Sequence, residues 1–156
     1  MLRKAASFGA SVEDLKEIYV LFIRSILEQS AVVWHSSLTV ENIESLERVQ
    51  KSAVRIILGR SSINYEESLI KLGLESLESR RDSLCLGFAQ KCVKNPKLSH
   101  LFPENKSNHK MKLRKSEKYI VQFSHTERLQ RSPIIHMQNL LNEDERKLKE
   151  LRIEKQ

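Results

Sequence analysis

The sequence contains few glycine, proline and aromatic residues. Of its 156 residues, only 4 are Gly and 3 are Pro, and aromatic side chains make up 6%. Charged residues make up 30% of the chain. Because Gly and Pro interrupt helices while most charged residues are good helix formers, this mixture favours helices over a sheet sandwich. We therefore predict an all-α protein with one small helical bundle.

Cysteines and long apolar runs are also scarce. Cys85 and Cys92 are the only cysteines, and seven residues of helix separate their positions by roughly 10 Å along the axis. That separation is too large for a disulfide within one helix, so we expect reduced thiols and an intracellular protein. The N-terminus lacks the apolar run of a secretory signal, and polar residues interrupt the apolar stretches within 20–34. We expect no membrane span, and nothing in the sequence distinguishes nucleus from cytoplasm.

Catalytic motifs are absent from the sequence. The three aspartates, Asp14, Asp82 and Asp144, are far apart, and none lies in a strand-like apolar run. No P-loop, GxSxG motif or nucleophile–base arrangement occurs. We therefore predict no catalytic residues and no cofactor, and we expect that the chain as it stands is not an enzyme.

The positive charge is concentrated in one segment. The net charge is +7, and residues 91–131 carry 11 Lys or Arg against 3 Asp or Glu, a local excess of +8. The remaining residues are close to neutral. A concentrated basic segment is typical of a protein with an anionic partner, and a solvated flexible segment is the alternative.

Apolar residues recur with helical spacing over most of the first 95 positions. We predict helices over residues 12–34, 40–58, 65–72 and 77–94, which together form a thumb-like bundle over 1–95. Ser11 and Thr39 are expected N-caps, and Gly59 and Gly73 are expected helix stops.

Beyond residue 95 the periodicity weakens. Residues 96–131 are predicted to be basic and partly extended. Ser132 and Pro133 favour a short helix over 132–142, and the highly charged residues 143–156 are expected to be a disordered tail.

Several separated blocks carry a family resemblance. In order, RSILEQSAVVW, LERVQKSAVRIILG and LGLESLESRR resemble the region that follows the palm in reverse transcriptases of non-LTR, LINE-type retrotransposons. The resemblance covers about residues 2–142. It implies a helical thumb and the segment after it, which hold the template–primer duplex behind the active site of an RNA-directed DNA polymerase. The Asp pair that holds two Mg²⁺ ions in that family is missing, so we expect a fragment that binds nucleic acid without catalysis.

Two groups of side chains are candidates for nucleic-acid binding. Arg48, Lys51 and Arg55 share the outer face of the second predicted helix, where they would contact phosphates; the alternative is that they only complement the negative end of the helix dipole. The second group is the densest basic run of the chain, which would bind RNA or DNA backbones non-specifically. Its members are Lys106, Lys110, Lys112, Arg114, Lys115 and Lys118.

Aromatic residues follow this basic run. Tyr119 and Phe123 are candidates for stacking on unpaired bases, and the alternative is that they anchor a soluble loop to the bundle. We expect RNA, DNA or an RNA–DNA hybrid as partner, together with the palm of a polymerase, and no membrane.

A zinc site is not expected from the sequence. Cys85, Cys92, His100 and His109 do not have the pair spacing of a compact zinc finger. Two other functional interpretations stay open. One is a helical protein–protein interaction module, and the other is a non-functional remnant of a mobile element.

Overall fold

The computed structural model describes residues 1–59, 64–105 and 117–153. Its α-helices are α1 (Leu2–Ser7), α2 (Val12–Ile18), α3 (Ser25–Glu28), α4 (Ala31–Trp34), α5 (Val40–Leu58), α6 (Tyr65–Leu72), α7 (Leu77–Lys94), α8 (Glu127–Gln130) and α9 (Pro133–Ile153). Short 3-10 turns cover His35–Ser37 and Ser99–Leu101. The part of the chain that the structure describes contains no strand, only an isolated antiparallel bridge between Glu104 and Tyr119. The predicted all-α class is confirmed.

The first long helix is shorter than predicted. α2 continues through a π-helical turn, Tyr19–Arg24, into α3. Ser11 caps its start as expected, because its hydroxyl accepts the Asp14 N–H at 3.1 Å. The prediction that the helix reaches residue 34 was wrong, because Ser30 adopts a left-handed φ of 55° and interrupts it. The apolar periodicity continues past that interruption, which is why the pattern alone did not reveal it.

The next three helices begin and end where the sequence predicts. Thr39 caps α5 by accepting the Asn42 N–H at 3.3 Å. Gly59 follows α5 with a φ of 54°, and Gly73 follows α6 in the left-handed conformation. A positive φ strains most L-residues, so glycine ends both helices at little cost.

The chain divides into two compact units. Unit 1 contains residues 1–31 and 38–81, and unit 2 contains residues 32–37 and 82–156. The division falls within α7 and not near residue 95, where we expected the bundle to end. The reason is that Cys85, Ala89 and Cys92, in the second half of α7, belong to the core of unit 2.

Each unit has its own apolar core. The core of unit 1 consists of Leu2, Leu15, Tyr19, Ala53, Val54, Ile57, Leu58, Leu69, Leu72 and Leu74. The core of unit 2 consists of Cys85, Ala89, Cys92, Phe102, Tyr119, Met137 and Leu141. Both cysteines are free and buried, as expected for small apolar core residues.

A buried polar network joins the helices of unit 1. The Tyr19 hydroxyl donates to Gln50 Oε1 at 2.5 Å, and Gln50 Nε2 donates to the Tyr65 hydroxyl at 2.9 Å and to the Glu75 carbonyl at 2.8 Å. Tyr65 in turn donates to Glu47. Burial raises the pKa of both tyrosines above the ordinary value, so both hydroxyls keep their protons and act as donors at neutral pH. The network fixes how these helices pack, because each buried polar group requires its partner.

The C-terminal helix is longer than predicted. We expected helix only over 132–142, but α9 continues to Ile153, so the expectation of a disordered tail was wrong as far as that residue; residues 154–156 lie outside the described ranges. Partners from other segments of unit 2 hold its charged half: Arg146 pairs with Glu117 at 2.9 Å, and Gln90 donates to Asp144 at 3.2 Å. Composition alone does not reveal such tertiary partners.

None of the helices within the described ranges is long and apolar enough to cross a membrane.

Candidate nucleic-acid interface and a histidine–carboxylate cluster

The basic stripe of α5 consists of Arg48, Lys51 and Arg55, and all three are exposed. Their spacing of three and four residues places them on one helix face over about 10 Å. Arg48 makes a long, exposed ion pair of 3.9 Å with Glu44, which contributes little stability. The Lys51 ammonium lies 5.0 Å from the centre of the Tyr65 ring. The stripe is therefore a positive surface whose charges are only weakly neutralised by the protein.

The residues at the two ends of the densest basic run pair with one another in a short stem. The Asn105 N–H donates to the Lys118 carbonyl at 2.7 Å, and the Ile120 N–H donates to the Pro103 carbonyl at 2.9 Å. Lys106, Lys110, Lys112, Arg114 and Lys115 belong to the segment between the two sides of this stem, and they lie outside the described residues.

Two side-chain amides of α9 hold the second side of the stem. Asn142 accepts the Tyr119 N–H at 2.9 Å and donates to the Tyr119 carbonyl at 3.0 Å. One helical turn earlier, Gln138 accepts the Gln122 N–H at 3.3 Å and donates to the Leu101 carbonyl at 2.9 Å. Both amides are 2% exposed. They pair backbone groups of Leu101, Tyr119 and Gln122 that no regular secondary structure pairs.

Tyr119 does not have the role in base stacking that we predicted. It is 5% exposed and lies in the core of unit 2, so neither face of its ring is open to a base. The prediction was wrong for this residue, because its side chain points inward and its backbone is held by Asn142. The alternative, that an aromatic residue anchors the segment to the helices, is correct for Tyr119.

Lys118 lies in a different environment from that expected of a phosphate-binding residue. Its ammonium lies 2.6 Å from Glu145 Oε1 and 5.3 Å from the centre of the Tyr119 ring. The hydrogen bond to Glu145 raises the pKa of Lys118 above its ordinary value. Because this charge is already paired within the protein, we expect Lys118 to contribute less to phosphate binding than an unpaired lysine would.

Phe123 keeps the exposure that base stacking requires. It is 78% exposed, and its ring meets the His125 ring edge-to-face with centres 4.9 Å apart. Phe123 lines an open groove of about 360 Å³, whose lining also includes Gln122, Ile135 and Asn139. Phe123 remains a candidate stacking residue.

Two arginines near the start of α7 have partners within the protein or are buried. Arg80 Nε lies 3.2 Å from Glu28 Oε1, and Arg81 is fully buried. Neither residue is a surface cation available to nucleic acid.

A cluster that the sequence did not predict joins three segments of unit 2. His35 lies in the 3-10 turn after α4, Asp82 lies in α7, and His136 lies in the first turn of α9. The Nε2 atoms of His35 and His136 lie 2.9 Å and 3.1 Å from the same carboxylate oxygen, Asp82 Oδ1. The two imidazole rings meet edge-to-face with centres 5.4 Å apart. We call these three residues the His–Asp–His cluster.

The cluster is an electrostatically coupled group. Burial opposes ionisation of Asp82, but the hydrogen bonds from His136 and His35 outweigh burial and hold the pKa of the carboxyl below its ordinary value. The hydrogen bond to Asp82, followed by the one to Cys85, raises the pKa of His136 to about 9. The carboxylate is therefore ionised and His136 is protonated at neutral pH.

No sequence signal pointed to this cluster. Asp82 lies 47 positions after His35, and His136 lies 54 positions after Asp82. Neither histidine belongs to a recognisable metal-binding or catalytic motif. Only the packing of the turn at His35 with α7 and α9 in unit 2 brings the three side chains together.

Comparison of the chain with family models, curated proteins and solved structures finds no match.

Proposed function

We propose that this chain is the nucleic-acid-holding, post-palm segment of a non-LTR retrotransposon reverse transcriptase, and that it binds phosphate backbones without catalysis. The observation that carries the proposal is the basic stripe of α5, together with the blocks of sequence that resemble this family. Arg48, Lys51 and Arg55 are exposed on one face. Three cations in a row on a rigid helix suit a charged polymer, because each contact releases condensed counterions from the nucleic acid.

The basic segment between residues 105 and 118 supports the same function. It contains five Lys or Arg residues and no Asp or Glu between 106 and 116. The paired stem and the two amides of α9 fix both points at which this segment joins unit 2. These anchors keep the basic segment attached to unit 2 at both of its ends.

Contacts to phosphates do not distinguish one base from another. We therefore expect the affinity to be independent of the nucleotide sequence of the ligand. The parent polymerase would act on an RNA–DNA hybrid, so a hybrid duplex is the probe of choice. Lys106 and Lys118 flank the run, and Phe123 would add stacking where the nucleic acid is unpaired.

The stripe is tested by the triple substitution Arg48→Gln, Lys51→Gln and Arg55→Gln. We expect the slope of log affinity against log salt concentration to flatten by about two to three units, since each lost phosphate contact removes about 0.7–0.9. The measurement is fluorescence anisotropy with a labelled hybrid between 50 and 300 mM salt.

A matched control separates the stripe from net charge. Lys147→Gln, Lys149→Gln and Arg152→Gln remove the same charge from exposed positions of α9. The control should leave the slope within about half a unit of the wild-type value. An equal flattening in both variants would contradict a binding surface on α5.

An exposed apolar surface favours a second function, that of a protein-interaction module. Leu21, Phe22 and Ile26 are 63%, 53% and 70% exposed on the continuous helix formed by α2, the π turn and α3. Adjacent large apolar side chains of this exposure are typical of an interface that has lost its partner. In the enzyme that the sequence resembles, that partner would be the palm.

Light scattering tests this second function. The isolated chain should self-associate as its concentration rises, and Phe22→Glu with Ile26→Glu should restore a monomer. Ile70→Glu is the control, because Ile70 is 80% exposed but lies on α6, and it should leave the association unchanged. A wild-type chain that stays monomeric at the highest concentration would exclude this interpretation.

A further inference from the structure

We infer that the His–Asp–His cluster is a binding site for a divalent transition-metal ion, with Zn²⁺ as its natural probe. The site goes beyond the proposed nucleic-acid binding and does not depend on it. Its ligands are two imidazole nitrogens and one carboxylate oxygen, a set that zinc and related ions bind well. Because His136 is protonated without the ion, its Nε2 releases a proton to solvent when the metal binds, so binding weakens as the pH falls.

The spacing of the donor atoms fits a metal ion. The three donor atoms lie within 4.8 Å of one another, and each Nε2 lies 2.9 or 3.1 Å from Asp82 Oδ1. A Zn²⁺ ion bound tetrahedrally at about 2.0–2.2 Å from each ligand separates neighbouring ligand atoms by roughly 3.3–3.6 Å. Each Nε2 would therefore move away from Asp82 Oδ1 by roughly 0.2–0.7 Å to admit the ion, which side-chain rotation can supply.

The cluster is buried on the side of His35 and open to solvent on the side of Asp82. The side chain of His35 is 6% exposed and that of His136 is 27% exposed, whereas that of Asp82 is 39% exposed. Because Asp82 is the most exposed of the three ligands, an ion can reach the site from solvent on that side, and water can bind the ion there. Three protein ligands with a water in the remaining position make a complete coordination shell for zinc.

The ligands are held by well-anchored elements. Asp82 lies on the 18-residue helix α7, and His136 lies on the 21-residue helix α9. Cys85, one turn after Asp82 on α7, is buried and belongs to the core of unit 2. Ligands whose positions are fixed by the fold before the metal binds hold it more tightly.

The ion would connect three segments of unit 2 that are far apart in sequence. It would tie the turn at His35 and the start of α9 to α7, so its binding energy would stabilise the folded state. We therefore expect zinc to stabilise unit 2 by holding these three segments together.

The experiment adds ZnCl₂ to chain that has been dialysed against a chelator. Calorimetry should find one ion per chain, and the unfolding temperature should rise by about 5 °C or more when zinc exceeds its Kd a hundredfold. Histidine side-chain NMR should show the Nε2 signals of His35 and His136 shifting together with the first equivalent. MgCl₂ should change neither quantity, because Mg²⁺ prefers oxygen ligands.

Two variants assign the effect to the cluster. Asp82→Asn keeps an acceptor oxygen for both imidazoles but removes the ligand charge, so it should fold and lose most of the zinc-induced stabilisation. His125→Gln changes an exposed histidine outside the cluster, and it should respond to zinc like the wild type.

The metal site would be overturned by either of two results. One is an unchanged unfolding temperature together with NMR signals of His35 and His136 that zinc does not shift. The other is a zinc response that Asp82→Asn retains in full, which would mean that the ion binds elsewhere. The NMR result needs no variant, so a substitution that failed to fold would still leave the site tested.

Discussion

Replacing Lys110, Lys112, Arg114 and Lys115 with Gln should flatten the salt dependence of hybrid binding by about three to four units. At 50 mM salt, the same change should lower the affinity by about 100-fold or more. The physical reason is that counterion release makes a larger contribution at low salt, and these four charges belong to the most basic run of the sequence. Fluorescence anisotropy with a labelled RNA–DNA hybrid measures both quantities.

The control for this variant removes four charges from exposed positions elsewhere. Lys4, Lys71, Lys147 and Lys149 lie on α1, α6 and α9, and their replacement by Gln should change the slope by less than one unit. Circular dichroism should show unchanged helicity in both variants. If the control weakens binding as much as the test variant does, the attraction comes from net charge and the basic segment is not a binding surface.

Replacing Tyr19 with Ala should lower the free energy of unfolding by about 3–5 kcal/mol, the range for truncating a large buried side chain. Tyr19 is fully buried in the core of unit 1, and its hydroxyl donates to Gln50. Tyr19→Phe keeps the ring but leaves the buried Gln50 oxygen without its donor, so it should cost about 1–3 kcal/mol. Urea unfolding followed by circular dichroism measures each variant.

Leu21→Ala is the matched control, because Leu21 lies in the same π-helical turn as Tyr19 and is 63% exposed. Its replacement should change the stability by less than about 0.5 kcal/mol. An equal loss for Leu21→Ala and Tyr19→Ala would mean that the inward and outward faces of this turn are assigned wrongly. A similar stability for Tyr19→Phe and the wild type would mean that the polar network adds nothing to folding.

Local sequence signals predicted the middle of the chain well. The ends of α5, α6 and α7 are encoded by neighbouring residues: Thr39 caps a helix, and Gly59 and Gly73 adopt positive φ where helices end. Such signals need no tertiary information, so they can be recognised one segment at a time.

The errors arose where distant residues decide the structure. Ser30 takes a left-handed conformation within an apolar pattern that favours helix, and α9 is extended by partners such as Glu117 and Gln90 from other segments. Neither effect follows from periodicity or composition, because Ser30 lies within a continuous apolar pattern and the partners of α9 come from segments far away in the sequence.

The candidate sites also differ in how far the sequence alone predicts them. The exposure of Arg48, Lys51 and Arg55 follows from helical periodicity alone. Alternation along the segment at 119–123 suggested two stacking residues, but only the structure shows that Tyr119 faces the core and Phe123 faces solvent. The His–Asp–His cluster has no counterpart in the linear sequence, since long-range packing alone assembles it.

The most direct test of nucleic-acid binding is the affinity of the wild-type chain for a labelled RNA–DNA hybrid across a salt series. With contacts from the basic stripe and the basic segment together, log affinity should fall linearly with log salt concentration, and affinity should drop by about 10³–10⁵ between 50 and 200 mM. Absence of binding at 50 mM salt, or an affinity that does not change over that range, would contradict the claim that this chain holds nucleic acid through its phosphates.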